Sequence, residues 1–513
     1  MNAEAPKFNY LVLIFAAALV LSVFARFANP VGIQSAVFFV LAAAFLFEFN
    51  FFSIGSAKVL IPIVLFAVAI MISYYAADFK HNARNGVLLA SYSGCAYLLS
   101  GFLNEKEKRS VLIMPLIIAL WLTIYLLARH AAFASVLTHS AVAIAPASFL
   151  IMALSVSFIF WWGERPLWRY MSFVIFLAVI LTKSYLAIAL SALIFAAFLF
   201  FMRSRIKIKT YITVIPFLIV AAAALYLLTK SSFLADRMLS WSTALSVFKA
   251  HPLFGVGFMN YENVSLCYAS ALPPSMALSQ NMFLQLLAET GIFGTLAFCS
   301  VIAAFFYRAA AGLKDSAGKD FNLPLILGVM AFMAFNLFET AAFAATNMLM
   351  FFIMLAAPAV QYKKEQRKMK ISVYILIPLI IPLLVALGMP IYAKQEYKNG
   401  IMFYSSGRYP SALNSYTKAF TYDFMNPEYA SKIADTYFAI YRESENRLDL
   451  GIAIEFAKRA IELNKYESRY YAQLAWLYHF SGDKLAASEN ITRAAELDKF
   501  DERIRQDYGE LIY

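Results

Sequence analysis

What most constrains this chain is a repeated length. Apolar stretches of about 20 residues recur through the first 392 positions, each long enough to cross a hydrocarbon core as a helix. Composition agrees: 62% of the 513 residues are hydrophobic and only 14% are charged, so most helices have no polar face to offer water. The expected fold is therefore all-α, a polytopic helical membrane protein of roughly 12 to 13 spans. Hydropathy places them near 9–25, 33–50, 58–76, 86–103, 111–128, 141–161, 170–183, 185–202, 211–229, 290–307, 323–339, 342–360 and 371–392. The first run begins after Lys7 like a signal peptide, but "LSVFARFANP" offers no small-residue cleavage site, so it reads as a retained helix.

Charge orients the spans. With the N-terminus in the cytoplasm, the inner loops collect Lys106, Lys108 and Arg109, then Arg165 and Arg169, "RSRIKIK", then Arg308, Lys314 and Lys319, and finally "KKEQRKMK". The opposite loops hold few basic residues, among them Lys80, Arg84, Arg129, Lys183, Lys230, Arg237 and Lys249. That bias follows the positive-inside rule and puts the C-terminal region outside. The net charge of +12 belongs mainly to this signal and makes no case for nucleic acid. Cys95, Cys267 and Cys299 are odd in number and lack metal-ligand spacing, so neither a disulfide framework nor a metal site is expected.

After the last span the composition turns polar. "SGRYPSALNSYTKAFTYD", "DLGIAIEFAKRAIELN" and "SGDKLAASENITRAAELD" align, with Ala412 recurring at Ala453 and Ala487, and Ala419 at Ala460 and Ala494. The second interval is 34 residues, and the first is longer by an insertion around "RESENR". This pattern resembles tetratricopeptide repeats, in which Gly407 and Gly482 turn between paired helices and the alanines let those helices pack closely. The division expected is a membrane domain over 1–392, with a large outer loop at about 230–289, and a soluble extracytoplasmic repeat domain over 393–513 that docks a partner.

The outer loop is the longest in the membrane part, and its tryptophan, paired aromatics and helical periodicity argue that it is folded. It contains "RMLSWSTALSVFKAHPLFGVGFMNY" and then "QNMFLQLLAETGIFG". This resembles the shared signature of the bacterial O-antigen ligase and O-antigen polymerase superfamily. That signature has an arginine four before a tryptophan, a Pro-x-x-Gly-x-Gly turn, and a His-Asn-x-x-Leu-Gln run leading to Glu-x-Gly. Arg237, Trp241, Pro252, Gly255, Gly257, Asn281, Leu284, Gln285, Glu289, Gly291 and Gly294 match it. Gln280 departs, standing where most family ligases carry histidine. "TKSYLA" departs too, because Tyr185 takes the place of the arginine that many members have there.

The resemblance implies transfer of a glycan from a polyprenyl-diphosphate carrier to a glycan, lipid or protein acceptor on the outer face of the cytoplasmic membrane, with no cofactor or metal. Charge grows on the leaving diphosphate, so a nearby cation stabilises the transition state more than the ground state. Arg237 is the first candidate, because its planar fork holds a diphosphate bidentately; the other reading is an anchor to lipid headgroups. Lys183 and Arg129, near outer span ends, are further cations that could bind the donor. Asn281, Gln285 and Glu289 lie four apart on one drifting helix face, which could line an acceptor cavity or simply cap and bond a helix near the interface. Gly255 and Gly257 allow close backbone approach to a substrate or a plain turn.

Glutamine takes no proton near neutral pH, so Gln280 is expected only to orient a sugar hydroxyl. The base then falls to Glu289 or to an outer-loop histidine among His81, His130, His139 and His251. A non-catalytic relative that binds lipid-linked glycan and recruits an envelope partner is the other class. A small-solute transporter is disfavoured, since no inverted repeat or pair of broken helices is visible.

Overall fold

The computed structural model describes residues 57–100, 103, 105–132, 144–161, 167–205, 210–229, 233–271, 278–314, 316–358 and 373–512, with Ile14, Ala17 and Ala18. Among these residues there is helix and no strand. The membrane part runs α1 (Ala57–Ala76), α2 (Lys80–Ser100), α3 (Glu105–Ala132), α4 (Ile144–Ser157), α5 (Leu167–Leu181) and α6 (Tyr185–Phe201). It continues through α7 (Thr210–Thr229), α8 (Phe233–Ala250), α9 (Tyr261–Tyr268), α10 (Met282–Ala311), α11 (Ser316–Asn336) and α12 (Ala345–Ala356).

By length and apolarity three helical stretches can cross a membrane, Glu105–Ala128, Met282–Lys314 and Gly318–Asn336. A fourth arises if α7 and α8, bent by 72°, count as one broken span. Five more apolar helices of 10–17 residues accompany them. The expected pair near 170–202 is realised as α5 and α6, joined by a tight turn in which Lys183 is left-handed (φ 56°) and the Ser184 side chain caps α6. The expected spans at 9–25 and 33–50 lie outside the described residues, apart from the three isolated positions in the first.

Aromatic packing knits the bundle. Phe66 of α1 meets Phe298 of α10 at 5.5 Å between ring centroids, and Phe332 of α11 meets Phe351 of α12 at 4.6 Å. Large apolar side chains such as Ile61, Leu65, Trp121, Ile124, Phe200 and Leu296 remain exposed, as lipid-facing positions should. The two ends of the bundle differ. At one, Arg308 donates to Tyr97 Oη (3.0 Å) and the Leu355 carbonyl (2.6 Å), and Arg109 lies over the Phe321 ring. The other gathers the α1–α2 link, the 251–281 loop, the turn after α11 and the repeat domain.

The repeat domain is a stack of helix pairs: α13 (Val373–Ser405), α14 (Tyr409–Tyr422), α15 (Pro427–Ser444), α16 (Arg447–Leu463), α17 (Ser468–Ser481), α18 (Lys484–Leu497) and α19 (Glu502–Ile512), each packed on the next. Its small residues do what close helix approach requires. Ala412, Ala419, Ala453, Ala460, Ala487 and Ala494 are all buried between helices. Gly407 and Gly482 end their helices in the left-handed conformation, and Glu445 does the same at the insertion. Asn426, Asn446 and Asp483 accept from the first-turn amides of the helices that follow. The helix α13 runs without a break from the last apolar stretch into the first repeat.

The stack also folds back onto the membrane part. Arg84 of α2 donates to both carboxylate oxygens of Asp423, with His81 beside them. Asp78 in the α1–α2 link pairs with Lys465 (2.9 Å) and accepts from Tyr466 Oη (2.8 Å). Tyr466 packs on the apolar cluster of Ala244, Val247, Val256, Tyr261, Val264 and Ala288, contributed by α8, the segment after it, α9 and α10.

Candidate functional site

The signature loop is built from a break in a helix. Asn281 caps α10, its side-chain oxygen accepting from Phe283 N (2.9 Å) and Leu284 N (3.0 Å). Nearly three turns on, Gly291 (φ 65°, ψ −167°) leaves helical geometry. The Pro-x-x-Gly-x-Gly turn docks into that break. Val256 N donates to Ala288 O (3.1 Å), Gly257 N to Glu289 O (2.9 Å), and Ile292 N to Pro252 O (3.0 Å). Neither side of this joint has room for a side chain. A Cβ on Gly255 would sit 2.2 Å from the Glu289 carbonyl carbon, and one on Gly291 would sit 2.2 Å from the Leu253 carbonyl oxygen. The amides of Gly255, Val256 and Gly257 thus all donate within the protein, and the turn is scaffold.

Glu289 is the post of this scaffold. It is fully buried, its Oε2 accepting from Met259 N (2.9 Å) and its Oε1 from Tyr261 N (3.2 Å) and Gln285 Nε2 (3.1 Å). Gln285 Oε1 accepts in turn from Ser279 N (3.2 Å). Of the polar stripe, Gln285 and Glu289 face inward as a hydrogen-bonded ladder that fixes the loop to α10, whereas the Asn281 side chain caps that helix. Ser73 of α1 adds a bond to the Glu289 carbonyl (2.8 Å).

Arg237 stands apart from that ladder. It is buried on α8, where Nε donates to the Phe338 carbonyl (2.8 Å) and Nη2 pairs closely with Oε1 of Glu339. One helical turn later Trp241 Nε1 donates to the Gln280 carbonyl (3.4 Å), and its ring lies 5.8 Å from that of Phe338. Gln280, Trp241, Phe338, Glu339 and Arg237 form one contiguous cluster. Gln280 is held left-handed (φ 57°), a conformation in which bulky residues are strained. Its buried side-chain oxygen has no hydrogen-bond partner among the described residues, and neither has the Thr340 hydroxyl next to Glu339. Buried polar atoms without partners cost free energy and call for an explanation such as a ligand.

The other expected residues lie elsewhere. Lys183 is exposed in the α5–α6 turn and makes no described contact with Arg237. Arg129 lies on α3, and its side chain is outside the described residues, as is His139. His251 faces Tyr268 Oη (3.3 Å) and His81 faces Asp423. Among the described residues no group of three or more His, Cys, Asp or Glu could hold a metal ion. The residue sequence reasoning missed is Glu339. It was placed at the end of a span, although a lone carboxylate closing the apolar run "AFMAFNLFE" is the kind of interfacial acid that signals function.

A helical membrane bundle with a buried arginine, a helix-break joint and a helical-repeat stack defines the class of protein. Residues 126–299, about a third of the chain, match the family model described as O-Antigen ligase. That match supports a role in glycosyl transfer during polysaccharide assembly. No curated protein matches the chain. Among solved structures, the first tetratricopeptide-repeat domain of the human RPAP3 protein is 20% identical, covering 24% of this chain and 91% of its own at a TM-score of 0.22. The second such domain of that human protein, in complex with an HSP70 peptide, is 19% identical, with 25% and 98% covered and a TM-score of 0.22. The APC/C hetero-tetramer Cut9-Hcn1 is 10% identical over 96% of each chain, at a TM-score of 0.21. Likeness at this level carries no argument alone; the helix pairing and buried alanines do.

Proposed function

We propose that this protein transfers a glycan from a polyprenyl-diphosphate carrier to an acceptor hydroxyl, ligating or polymerising a cell-surface glycan on the outer face of the cytoplasmic membrane. The observation that carries this reading is the buried Arg237 of the signature, clamped by Phe338 and Glu339 in a cluster with two polar atoms that have no partner among the described residues. A guanidinium fixed before the donor arrives needs little reorganisation as charge develops on the departing diphosphate. The two unpartnered atoms suit sugar or phosphate groups, and Gln280 orients rather than deprotonates. The charge is met by arginine, without a metal or cofactor. Lys183 and Arg129 are held as auxiliary donor contacts at the outer span ends.

The repeat stack serves as the docking surface for an envelope protein or for the acceptor itself. Membrane lipids supply the donor laterally. One observation favours a second reading, a glycan-binding relative without catalysis: the residue at the family's histidine position is Gln280. Carrier-lipid analysis in a deletion strain tests the proposal. Accumulation of a capped lipid-linked glycan, relieved by the wild-type gene but not by Arg237→Ala, is the expected result. An unchanged carrier pool overturns it, and restored transfer that requires Gln280→His supports the binding relative.

A further inference from the structure

If the glycosyl-transfer reading holds, the reaction needs a group to take the acceptor's proton, which the sequence left to Glu289 or an outer-loop histidine; of the described histidines, His251 faces Tyr268 and His81 faces Asp423. Gln280 is an amide, and both oxygens of Glu289 already hold backbone or side-chain donors in a fully buried ladder. We propose that Glu339 is the proton acceptor of this enzyme and that it works as a dyad with Arg237. It lies outside the stretch that matches the O-antigen ligase model, so the assignment rests on this chain's own geometry.

The geometry is specific. Glu339 Oε1 faces Arg237 Nη2, which fixes the carboxylate's orientation, whereas no described residue donates to Oε2. The carboxylate sits in the turn after α11, one residue from the unpartnered Thr340 hydroxyl and beside the Phe338 ring that contacts Trp241. Trp241 in turn holds the backbone of Gln280, so the carboxylate is linked through Phe338 and Trp241 to the position where the family's histidine stands. The side chain is about one-tenth exposed, enough to meet an acceptor while excluding bulk water. Burial raises its proton affinity, and the charge of Arg237 opposes that rise without cancelling it.

The step balances as follows. The acceptor's O–H bond breaks and its proton passes to Glu339 Oε2. The acceptor oxygen forms the new bond to the anomeric carbon, and the bond from that carbon to the diphosphate oxygen breaks with its electron pair leaving on the polyprenyl diphosphate. Protonation removes the negative charge that had held Arg237. The guanidinium's charge is then exerted on the diphosphate as its own charge grows, an interaction stronger in the transition state than in the ground state.

The test uses the full-length protein in proteoliposomes. The donor is the glycolipid purified from the deletion strain and the acceptor is that strain's envelope fraction. Wild-type transfer must be seen first, and its absence would condemn the glycosyl-transfer reading rather than the assignment of the base. Glu339→Gln should lower kcat about 10²–10⁴-fold with little change in donor KM, and the acid limb of the pH–rate profile should disappear. If it lowers protein yield, Glu339→Asp, which keeps the charge, should retain abundance and the acid limb at a reduced kcat. The assignment is overturned if Glu339→Gln keeps wild-type kcat, or if it raises only the donor KM and leaves the acid limb in place. Either result would make Glu339 solely a positioning residue for Arg237.

Discussion

Arg84 grips Asp423 across 339 positions of sequence, with Nη1 at 2.9 Å from one carboxylate oxygen and Nη2 at 3.2 Å from the other. This bidentate pair joins the membrane bundle to the repeat stack. Burial raises the Asp423 carboxyl, but hydrogen bonds from His81 and Arg84 and the charge of Arg84 outweigh it, so its pKa falls to about 2. Arg84→Ala leaves that buried carboxylate with His81 alone beside it, at a cost of about 3 kcal/mol to docking. Trypsin should then cut the exposed segments of the repeat stack faster, while the stack itself stays folded on its own alanine-lined core.

The same contact should weaken in acid. A carboxyl whose pKa falls on docking, from the ordinary 3.8 to about 2, stabilises the docked state fully above about pH 4 and loses that contribution as pH drops toward 2. Energy transfer between dyes at Lys80→Cys and Lys458→Cys, in a background with the natural cysteines replaced, should fall over this window. Asp423→Asn should flatten the response.

Gly255→Ala and Gly291→Ala should each prevent the helix-break joint from closing. Both positions are left-handed, and both new methyl groups would meet backbone at 2.2 Å. The expected loss is on the order of 3 kcal/mol or more. Fluorescence-detected size exclusion after heating should show a lower melting point for both, and native-like melting would remove the joint from this account.

Glu289 separates scaffold from chemistry. Glu289→Ala orphans Met259 N, Tyr261 N and the Gln285 amide, each costing about 1–3 kcal/mol. The protein should fail to accumulate, and whatever folds should turn over at a rate within a few-fold of wild type. A well-folded Glu289→Ala protein with no turnover would return Glu289 to the reacting centre.

Gln280→Ala should reduce transfer partially, about 10-fold, because only an orienting bond is lost and the left-handed backbone remains. Gln280→His should fold normally, since histidine enters that conformation more readily than most residues. Melting points and transfer rates measured together decide both.

The repeat stack was legible because its signal is local. Ala453 and Ala487 stand one period apart, and any helix pair that packs closely must put small residues there. The Arg237 and Gly-x-Gly signature was legible as pattern but not as roles. That Gly255 and Gly257 mate with the Glu289 peptide depends on a helix break 36 residues downstream, which no periodicity reports. Glu339 was hidden for a different reason. Its partner is 102 residues away, and hydropathy counted it as the last residue of a span when the helix ends at Asn336. Nothing in the sequence around Asp423 points to Arg84, 339 positions away, and that contact gives it its task.

The most direct measurement of the central claim is transfer by Arg237→Ala in proteoliposomes, with the carrier-linked glycan from the deletion strain as donor. If Arg237 stabilises the departing diphosphate, kcat per folded protein falls on the order of 10²-fold or more, beyond the lower melting point expected from leaving Glu339 buried without its partner, and Arg237→Lys restores the melting point but only part of kcat. A rate per folded protein within a few-fold of wild type would contradict the account.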